Sequence, residues 1–414
     1  MEQGYKQSPL GPIPENWEVK SVKDISTIKG RIGYRGYTID DIVNDGDGAI
    51  SLSPSNIVDG KLQFNPVTSI TWEKYYESPE IMLHNGDIVM VKTGSSFGKV
   101  AFVDNLPHET TINPQFVIIN NIKCDNKWLC YLFDSDCIQK NVHKIVVGGA
   151  IPTMSQEEIA NFRIPIPPLP EQHRIVSVLS LWDTAIEKQT ALIEKLTLRK
   201  RGLMQQLLTG KKRLKGFSGE WKEVRLGEVA SINRGGSPRP IEDYITDGEG
   251  YNWIKIGDVG VDAKYITSTE EKIIKEGLSK TRFVKSGDFI LSNSMSFGRP
   301  YILKIDGCIH DGWLVIQEYS QTFNIDFLYY ILGYDTTLAQ YKSMAAGSGV
   351  LNLNKEIVKE VILKTPSIDE QKAIASILIN ADKEIEIQKQ KLAAIQEQKK
   401  GLMQVLLTGK KRVK

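Results

Sequence analysis

The segment from Glu171 to Lys215 occurs twice in this chain, and the second copy runs from Glu370 to Lys414. Aligned without gaps, the copies are offset by 199 residues, and 22 of the 45 positions are identical. Of the last 14 positions, 12 match. A match of this length at one fixed offset indicates a tandem duplication, so the fold must contain two copies of the same element.

Apolar residues in the repeated segment recur at alternating steps of four and three, which is the pattern of a coiled-coil seam. In the first copy the seam positions are Ile175, Leu179, Trp182, Ile186, Gln189, Ile193, Leu196, Lys200, Leu203 and Leu207. In the second copy they are Ile374, Leu378, Ala381, Ile385, Gln388, Leu392, Ile395, Lys399, Leu402 and Leu406. Each copy therefore predicts one helix of nearly forty residues, roughly 55 Å long at 1.5 Å per residue.

Both predicted helices carry polar residues at the same seam positions. Gln189 corresponds to Gln388, and Lys200 corresponds to Lys399. Because a polar seam residue lowers stability and fixes register, the shared positions favour pairing of the two helices with each other in one alignment. The alternative is a seam in which polar residues are merely tolerated.

The end of each predicted helix is marked by Leu-Leu-Thr-Gly, followed by Lys-Lys-Arg. Glycine suits the position after a helix, and cations complement the negative end of the helix dipole. Residues 197–215 carry seven Lys or Arg and no Asp or Glu. This cluster fits a solvated helix end as well as it fits contact with nucleic acid.

Composition bounds the class of protein. The 414 residues are 41% hydrophobic and 25% charged with a net charge of +2, which is typical of two or three globular domains and neither requires nor excludes nucleic acid. The N-terminus lacks the features of a signal peptide, and no apolar run approaches the length of a membrane span. We therefore expect a cytoplasmic protein without membrane contact, whose four cysteines (Cys124, Cys130, Cys137 and Cys308) are free thiols.

Short apolar runs separated by turn residues begin after Trp17 and predict a strand-rich domain. A helix is predicted over about 126–144. The proline-rich run 164–170 predicts an extended, non-helical entry into the long helix, which would begin near Glu171.

The second half repeats this plan with little sequence identity outside a few anchors. Trp221 corresponds to Trp17, Gly287-Asp288 to Gly86-Asp87, and Ser296-Phe297-Gly298-Arg299 to Ser96-Phe97-Gly98-Lys99. The predicted fold class is α+β, with two strand-rich domains related by a pseudo-twofold axis and separated by two long antiparallel coiled-coil helices. The predicted segments are 1–166 and 216–365 for the globular domains and 167–215 and 366–414 for the helices.

The chain resembles the specificity (S) subunit of type I restriction-modification enzymes. The resemblance rests on the doubled proline-rich entry that ends in Glu-Gln, the doubled helices, the doubled Leu-Met-Gln-x-Leu-Leu-Thr-Gly terminus, and a Gly-Asp…Ser-Phe-Gly-(Lys/Arg) segment in each globule. It covers the whole chain in order. Thr190-Ala191-Leu192-Ile193 is similar to the short element whose copy number sets half-site spacing in some relatives.

The resemblance implies a subunit without catalytic activity, in which each globule is a target-recognition domain for one half of a bipartite site in double-stranded DNA. The helices would set the spacer and dock two methyltransferase (M) subunits, which restriction and motor (R) subunits would join. The chain itself would bind no cofactor, whereas the partner subunits would bind S-adenosylmethionine and Mg-ATP. Adenine methylation and ATP-dependent DNA cleavage would belong to those partners.

Motifs that could support catalysis are incomplete. The segment 94–100 is one residue short of a phosphate-binding loop and lacks the magnesium-binding Ser or Thr. Asn113-Pro114-Gln115-Phe116 resembles an amino-methyltransferase motif but lacks its second proline, and the second half has His310-Asp311-Gly312-Trp313 instead, so a structural turn is favoured. The five histidines are scattered, and none joins the cysteines at metal-ligand spacing. We therefore predict no catalytic site and no metal site.

Direct reading of DNA requires Arg, Lys, Asn, Gln, Ser or Thr on loops that can approach the duplex. In the first globule the candidates are Arg31, Tyr34, Arg35, Lys92, Ser95, Ser96 and Lys99. In the second globule they are Arg234, Arg239, Asn293, Ser294, Ser296 and Arg299. The glycines beside them permit close approach of the backbone to DNA, although such loops can equally be flexible and empty.

Two other functional classes stay open at this point. A coiled-coil scaffold whose globules bind proteins would differ in binding no duplex DNA. A self-sufficient modification enzyme is disfavoured because no glycine-rich cofactor loop follows a strand.

Overall fold

The computed structural model describes residues 4–33, 36–145, 152–260, 263–293, 297–345 and 353–413. The chain divides into two compact units, the first comprising Met1–Thr190 with Gln390–Lys414 and the second comprising Ala191–Lys389. Each long helix therefore contributes one half to each unit. The predicted segments divide the chain into separate globules and helices, whereas each compact unit contains one globule together with one part of each long helix.

Strands and short helices alternate through the first globule. The strands are β1 (Tyr5–Ser8), β2 (Gly11–Pro14), β3 (Glu18–Ser21), β4 (Thr27–Lys29), β5 (Ile42–Val43), β6 (Ala49–Leu52), β7 (Ile57–Val58), β8 (Lys61–Leu62), β9 (Thr68–Ile70), β10 (Ile88–Val91), β11 (Val100–Phe102), β12 (Thr110–Ile112), β13 (Phe116–Asn120) and β14 (Arg163–Ile166). The helices are α1 (Val22–Ile25), α2 (Trp72–Tyr76), α3 (Asn126–Asp134), α4 (Asp136–Ile145) and α5 (Gln156–Ala160). The single helix predicted over 126–144 is thus two helices, because the extended backbone of Ser135 interrupts it.

The second globule has the same alternation. Its strands are β15 (Lys222–Arg225), β16 (Ser231–Arg234), β17 (Ile245–Thr246), β18 (Tyr251–Ile254), β19 (Tyr265–Ile266), β20 (Glu271–Ile273), β21 (Arg282–Val284), β22 (Phe289–Ser292), β23 (Pro300–Leu303), β24 (Gly307–Ile309), β25 (Trp313–Gln317) and β26 (Ile362–Thr365). Its helices are α6 (Leu226–Val229), α7 (Ile325–Leu332), α8 (Asp335–Ala345) and α9 (Lys355–Glu360).

Two main sheets form each globule, and their strand orders correspond. In the first unit the orders are β11-β10-β13-β4 and β12-β6-β9-β5. In the second they are β16-β25-β22-β23-β19 and β17-β20-β18-β24-β21, so the second unit adds one edge strand to each sheet. The parallel pairing of β6 with β12 recurs as β18 with β24. The globules therefore share a topology although their sequences scarcely match.

The long helices span Leu169–Leu207 and Ile368–Leu406, and we label them αL1 and αL2. Each has 39 residues, as the repeat predicts. The expectation that the whole run 164–170 is non-helical was wrong at its end, because αL1 begins at Leu169. Pro170 fits there because the first turn of a helix needs no backbone N–H donor. After each helix Gly210 and Gly409 have φ values of +70° and +72°, the left-handed conformation that terminates helices.

Ion pairs within each unit show that the helices run antiparallel. In the first unit, Glu171 at the start of αL1 pairs with Arg412 just after αL2, and Asp183 pairs with Lys399 at 2.7 Å. Because residue numbers rise on one helix as they fall on the other, the two helices run in opposite directions.

The second unit repeats these pairs at equivalent positions. Glu370 pairs with Arg213 at 2.7 Å, and Asp382 pairs with Lys200 at 2.5 Å. The two lysines predicted to interrupt the seam, Lys200 and Lys399, therefore each make an interhelical ion pair.

The helix ends share a hydrophobic core with their globule. In the first unit Trp17, Trp128 and Leu132 of the globule join Ile175 and Leu179 of αL1 and Met403, Leu406 and Leu407 near the end of αL2. In the second unit Leu226, Phe327 and Leu328 join Leu207, Leu208, Ile374 and Leu378. The predicted α+β fold with long antiparallel helices is confirmed, and each helix end is part of a globular core.

Each helix start carries a buried carboxylate that the other helix end neutralises. The Glu171 side chain is 2% exposed and accepts two hydrogen bonds from the Arg412 guanidinium, at 2.6 and 2.7 Å, and one from Trp17 Nε1 at 3.0 Å. These bonds raise the pKa of Arg412. We call this set of contacts the first clamp, and the Glu370–Arg213 pair is the second clamp.

Among the described residues, no helix combines the length and hydropathy that a membrane span requires.

Replacing Arg412 with Gln should open the first clamp, because Glu171 would stay buried without its charged partner. Loss of a bonded partner to a buried charge costs about 2 kcal/mol or more. Hydrogen exchange read by mass spectrometry should therefore accelerate about 30-fold in peptides over 5–25 and 400–413. Peptides beside the second clamp should keep their rates, and the exposed Arg174→Gln change should have no effect. Unaltered exchange at both ends would show that the clamp does not hold the helix end.

Candidate nucleic-acid interface

Three connecting segments of the first unit meet at one end of the sheet β11-β10-β13-β4. Val91 at the end of β10 is opposite Phe116 at the start of β13, and Lys29 at the end of β4 is opposite Ile118. The segment after β4, the loop from β10 to β11 and the turn before β13 therefore lie together. We call this end of the sheet the first tip.

Backbone and side-chain hydrogen bonds order the first tip. Lys92 N–H donates to Gln115 O at 2.7 Å, and Met154 N–H donates to Lys92 O at 2.9 Å. Arg31 Nη2 donates to Ile112 O at 3.1 Å, and burial lowers the pKa of its guanidinium. Arg31 is thus partly committed to holding the tip together.

Four further candidates of the first globule lie on the β10–β11 loop at the same tip. Ser95 and Lys99 are exposed on the β10–β11 loop, and Lys92 and Ser96 are half-buried. This loop connects two strands, whereas a phosphate-binding loop leads from a strand into a helix, so nucleotide binding here is unsupported. Tyr34 and Arg35 lie outside the described residues.

The second unit has an equivalent tip at the sheet end where β16 and β22 finish and β25 begins. Arg234 is opposite Leu314, and Ser292 is opposite Trp313. The turn His310-Asp311-Gly312 therefore occupies the place of Asn113-Pro114-Gln115 in the first tip. This correspondence supports the prediction that both segments are structural turns.

Asp311 organises the second tip. Its carbonyl oxygen accepts hydrogen bonds from Arg234 Nε at 2.9 Å and from Asn293 Nδ2 at 3.0 Å. Its carboxylate accepts one from Ser237 Oγ at 2.9 Å, and this bond holds the pKa of Asp311 below its usual value. Arg239 Nη2 approaches the same carboxylate at 3.8 Å, while its side chain stays 83% exposed.

The predicted residues of the second globule thus have different environments. Arg239 and Arg234 are both exposed cations of the tip, but the Arg234 guanidinium also donates to the Asp311 carbonyl oxygen in the turn. Asn293 is 4% exposed, and its amide supports the turn instead of facing solvent. Arg299 is half-buried, with its guanidinium carbon 5.7 Å from the Tyr301 ring. Ser294 and Ser296 lie outside the described residues.

Sequence reasoning did not single out Asp311, Ser237 or Gln115 as parts of the tips. The corresponding positions of the turns before β13 and β25 could have indicated that these turns belong to the tips, but from the sequence alone they were interpreted only as fragments of an enzyme motif. All four cysteines are free thiols, as expected. Within the described ranges no cluster of His, Cys, Asp or Glu could hold a metal ion.

The predicted seam residues are all buried or half-buried along the long helices. Buried positions are Ile175, Leu179, Gln189, Leu196, Ile374, Leu378 and Ile385. Half-buried positions are Trp182, Ile186, Ile193, Gln388, Leu392 and Ile395.

Comparison with known proteins bears on the doubled architecture. A family model described as the type I restriction modification DNA specificity domain matches residues 14–198 and again residues 218–397. The chain belongs to this family. Both matches include a tip and most of one long helix, so the domain of the family corresponds to globule plus helix.

Two curated relatives come from Methanocaldococcus jannaschii. One is described as the putative type I restriction enzyme MjaX specificity subunit and is 26% identical over 444 residues, covering 100% of this chain and 98% of the relative. The other is the type I restriction enzyme MjaVIII specificity subunit, also 26% identical, covering 100% of this chain and 97% of the relative. Specificity subunits of this kind thus match along the whole chain.

Two solved structures share the fold. A chain from work on complex assembly and conformational transition of a type I R-M system gives a TM-score of 0.65 at 19% identity, covering 96% of this chain and 99% of that one. The S subunit of a type I restriction-modification system from M. genitalium gives 0.53 at 16% identity, covering 95% and 96%. These values support the fold of a specificity subunit.

Acidification should destabilise the second tip through His310. Burial lowers the pKa of this imidazole, and its Nδ1 accepts a hydrogen bond from Gly312 N–H at 2.6 Å that protonation would break. Because the folded pKa lies below the unfolded value of about 6.5, this stability is complete above pH 6.5 and is lost as the pH falls through the folded pKa.

The difference between urea midpoints at pH 7.5 and 5.5 measures this effect. It should shrink in His310→Gln relative to the unaltered chain. The control is His84→Gln, because the His84 side chain is 78% exposed. If the control shrinks the difference by as much as His310→Gln does, the loss of stability on acidification does not arise at the tip.

Proposed function

We propose that this specificity subunit reads a bipartite site in double-stranded DNA, with each tip contacting one half-site. The observation that carries the proposal is the recurrence of the tip. Two globules with one topology place different cations, among them Lys99 in one and Arg239 in the other, at the same end of the same sheet. Exposed Arg and Lys side chains on ordered turns suit both phosphate contacts and reading of base edges.

The long helices would set the spacer between the half-sites. Each helix contributes to both units, so a fixed helix length fixes how far apart two tips can act. A helix of roughly 55 Å corresponds to about one and a half turns of duplex at ~34 Å each. The Lys–Asp pairs and the clamps support this role because they define one antiparallel register.

Chemistry would belong to partner subunits. Two methyltransferase subunits, docked on the helices, would bind S-adenosylmethionine and methylate adenine after flipping it from the duplex. Restriction subunits would bind Mg-ATP and cleave DNA. The specificity subunit would act in the cytoplasm without a catalytic site or cofactor of its own.

Mapping methylated adenines tests this proposal. The chain would be co-expressed with a type I methyltransferase subunit that forms a complex with it, and the host genome would be read by single-molecule sequencing. We expect one split motif with a constant spacer. An unsplit motif, or a stable complex that neither methylates nor binds DNA, would favour the protein-binding scaffold instead.

With the motif known, Arg239→Gln should weaken recognition of the second half-site alone. A lost base or phosphate contact costs about 1–3 kcal/mol, which is roughly 5- to 150-fold in binding. Lys99→Gln is the matched change at the first tip. Duplexes altered in one half-site at a time would show whether each variant loses discrimination at its own half only. Equal loss at both halves in either variant would contradict the assignment of one half-site to each tip.

Shortening both helices by seven residues should shorten the spacer without changing either half-site. The deletions are Thr190–Leu196 and Lys389–Ile395, which lie between the Lys–Asp pairs and leave both pairs and both clamps intact. Seven residues correspond to about 10 Å, or about three base pairs. Remapped methylation should show the same half-sites about three base pairs closer. Altered half-site sequences would count against the proposed role of the helices.

A further inference from the structure

One buried tyrosine in each globule reaches an ion pair between the long helices. In the first unit Tyr131 on α3 donates its hydroxyl hydrogen to Asp183 on αL1. Asp183 also pairs with Lys399 on αL2 at 2.7 Å, and Lys399 Nζ lies 5.3 Å from the centre of the Tyr131 ring. These three side chains, which we call the first triad, join the globule to both helices.

The second unit contains the same triad. Tyr330 on α7 donates to Asp382 on αL2 at 2.5 Å, and Asp382 pairs with Lys200 on αL1 at 2.5 Å. Lys200 Nζ lies 5.8 Å from the centre of the Tyr330 ring. All three members stand 199 residues from their counterparts, including the tyrosines, which lie in the globules where sequence identity is low.

The tyrosine of each triad is buried, and the Lys–Asp pair beside it is half-buried. Tyr131 is 7% exposed and Tyr330 is 2% exposed, while the Lys399 and Asp183 side chains are 17% and 21% exposed. Burial, followed by the bond to the carboxylate, raises the pKa of both tyrosines, so each hydroxyl remains a donor at neutral pH. Hydrogen bonds to a charged partner are stronger than neutral ones and hold their geometry.

The distance between the triad and the clamp allows the triad to restrict the orientation of the globule on the helices. The first clamp attaches the globule at Glu171, and Gln172 adds a bond from Asp125 N–H at 2.8 Å. The first triad lies twelve residues farther along αL1, about 18 Å from the clamp. A body held at one place can turn about it, whereas a second attachment about 18 Å away fixes its direction.

Apolar packing around each triad is incomplete. The hydrogen bond and the ion pair of the triad therefore contribute more to holding the globule in place there than polar bonds do in the close-packed core. A cavity of about 460 Å³ adjoins the first triad, with Tyr131, Asp183 and Lys399 in its wall. A second cavity of about 460 Å³ adjoins Tyr330 and Lys200. Both tyrosine rings belong to the shared core, and the adjoining cavities leave one side of each triad without close-packed side chains that could resist rotation.

We propose that the two triads are orientation joints, which hold each globule at one angle on the helix pair and thereby limit the spacer lengths that the subunit accepts. This inference rests on the proposed function, and it makes Tyr131 and Tyr330 positioning residues without DNA contact. Loss of either hydroxyl leaves the tips and the interhelical ion pairs in place but lets the globule turn.

The test compares spacer discrimination in Tyr131→Phe, Tyr330→Phe and the double variant, each purified with its methyltransferase partner. The probes are duplexes that carry the mapped half-sites at the native spacing and at one base pair more or less. The unaltered complex should strongly prefer the native spacing. In each single variant, the ratio of binding at the native spacing to binding at the altered spacings should fall at least about threefold. In the double variant this ratio should fall further, and the same half-site sequences should still be required.

The matched control is Tyr341→Phe, a buried tyrosine of the second unit whose hydroxyl has no hydrogen-bond partner in the described structure. It should keep full spacer discrimination. Unchanged discrimination in the double variant would overturn the inference, as would loss of half-site recognition together with spacing, since that pattern indicates general unfolding. The proposed function fails separately, if the unaltered complex shows no split motif.

Discussion

A buried carboxylate at the start of each long helix is the constraint on which the rest of the structure depends. Glu171 and Glu370 are each 2% exposed, and each is neutralised by an arginine from the end of the other helix. A buried charge without its partner is strongly destabilising, so the start of one helix requires the end of the other. Antiparallel pairing, register and the shared cores all follow from meeting this requirement twice.

The sequence was most informative where a pattern repeats. The steps of four and three predicted both helices to within a few residues, and the glycine after each helix was predicted from its place in the repeat. Lys200 and Lys399 were recognised as special seam positions, but their partners were not. Apolar spacing cannot identify those partners, since Asp183 and Asp382 lie one residue beyond a seam position and the pattern ignores polar neighbours.

Features that depend on distant contacts escaped the sequence reasoning. The parallel pairing of β6 with β12 joins segments about sixty residues apart, and no local pattern indicates it. Asn293 has the side chain of a base-reading residue, yet its amide donates to the carbonyl oxygen of Asp311 in the turn. The interruption at Ser135 is also accompanied by a tertiary contact, because the Gln139 side-chain amide just after the break donates to Gly98 O at 2.9 Å. In each case a residue's partner, rather than its type, decided its role.

The polar ties that recur between globule and helices have a consequence for how such chains can diversify. Beyond apolar packing, two polar contacts between globule and helices recur in both units. A tyrosine on the helix that follows the main sheet bonds to an aspartate of a long helix. At the start of the same globular helix, the backbone N–H of Asp125 or Asn324 donates to Gln172 or Gln371. The residues of the tips take no part in these attachments. Genetic exchange could therefore replace an entire globule with an unrelated sequence, and the product would still assemble if it retained this small set of attachment points.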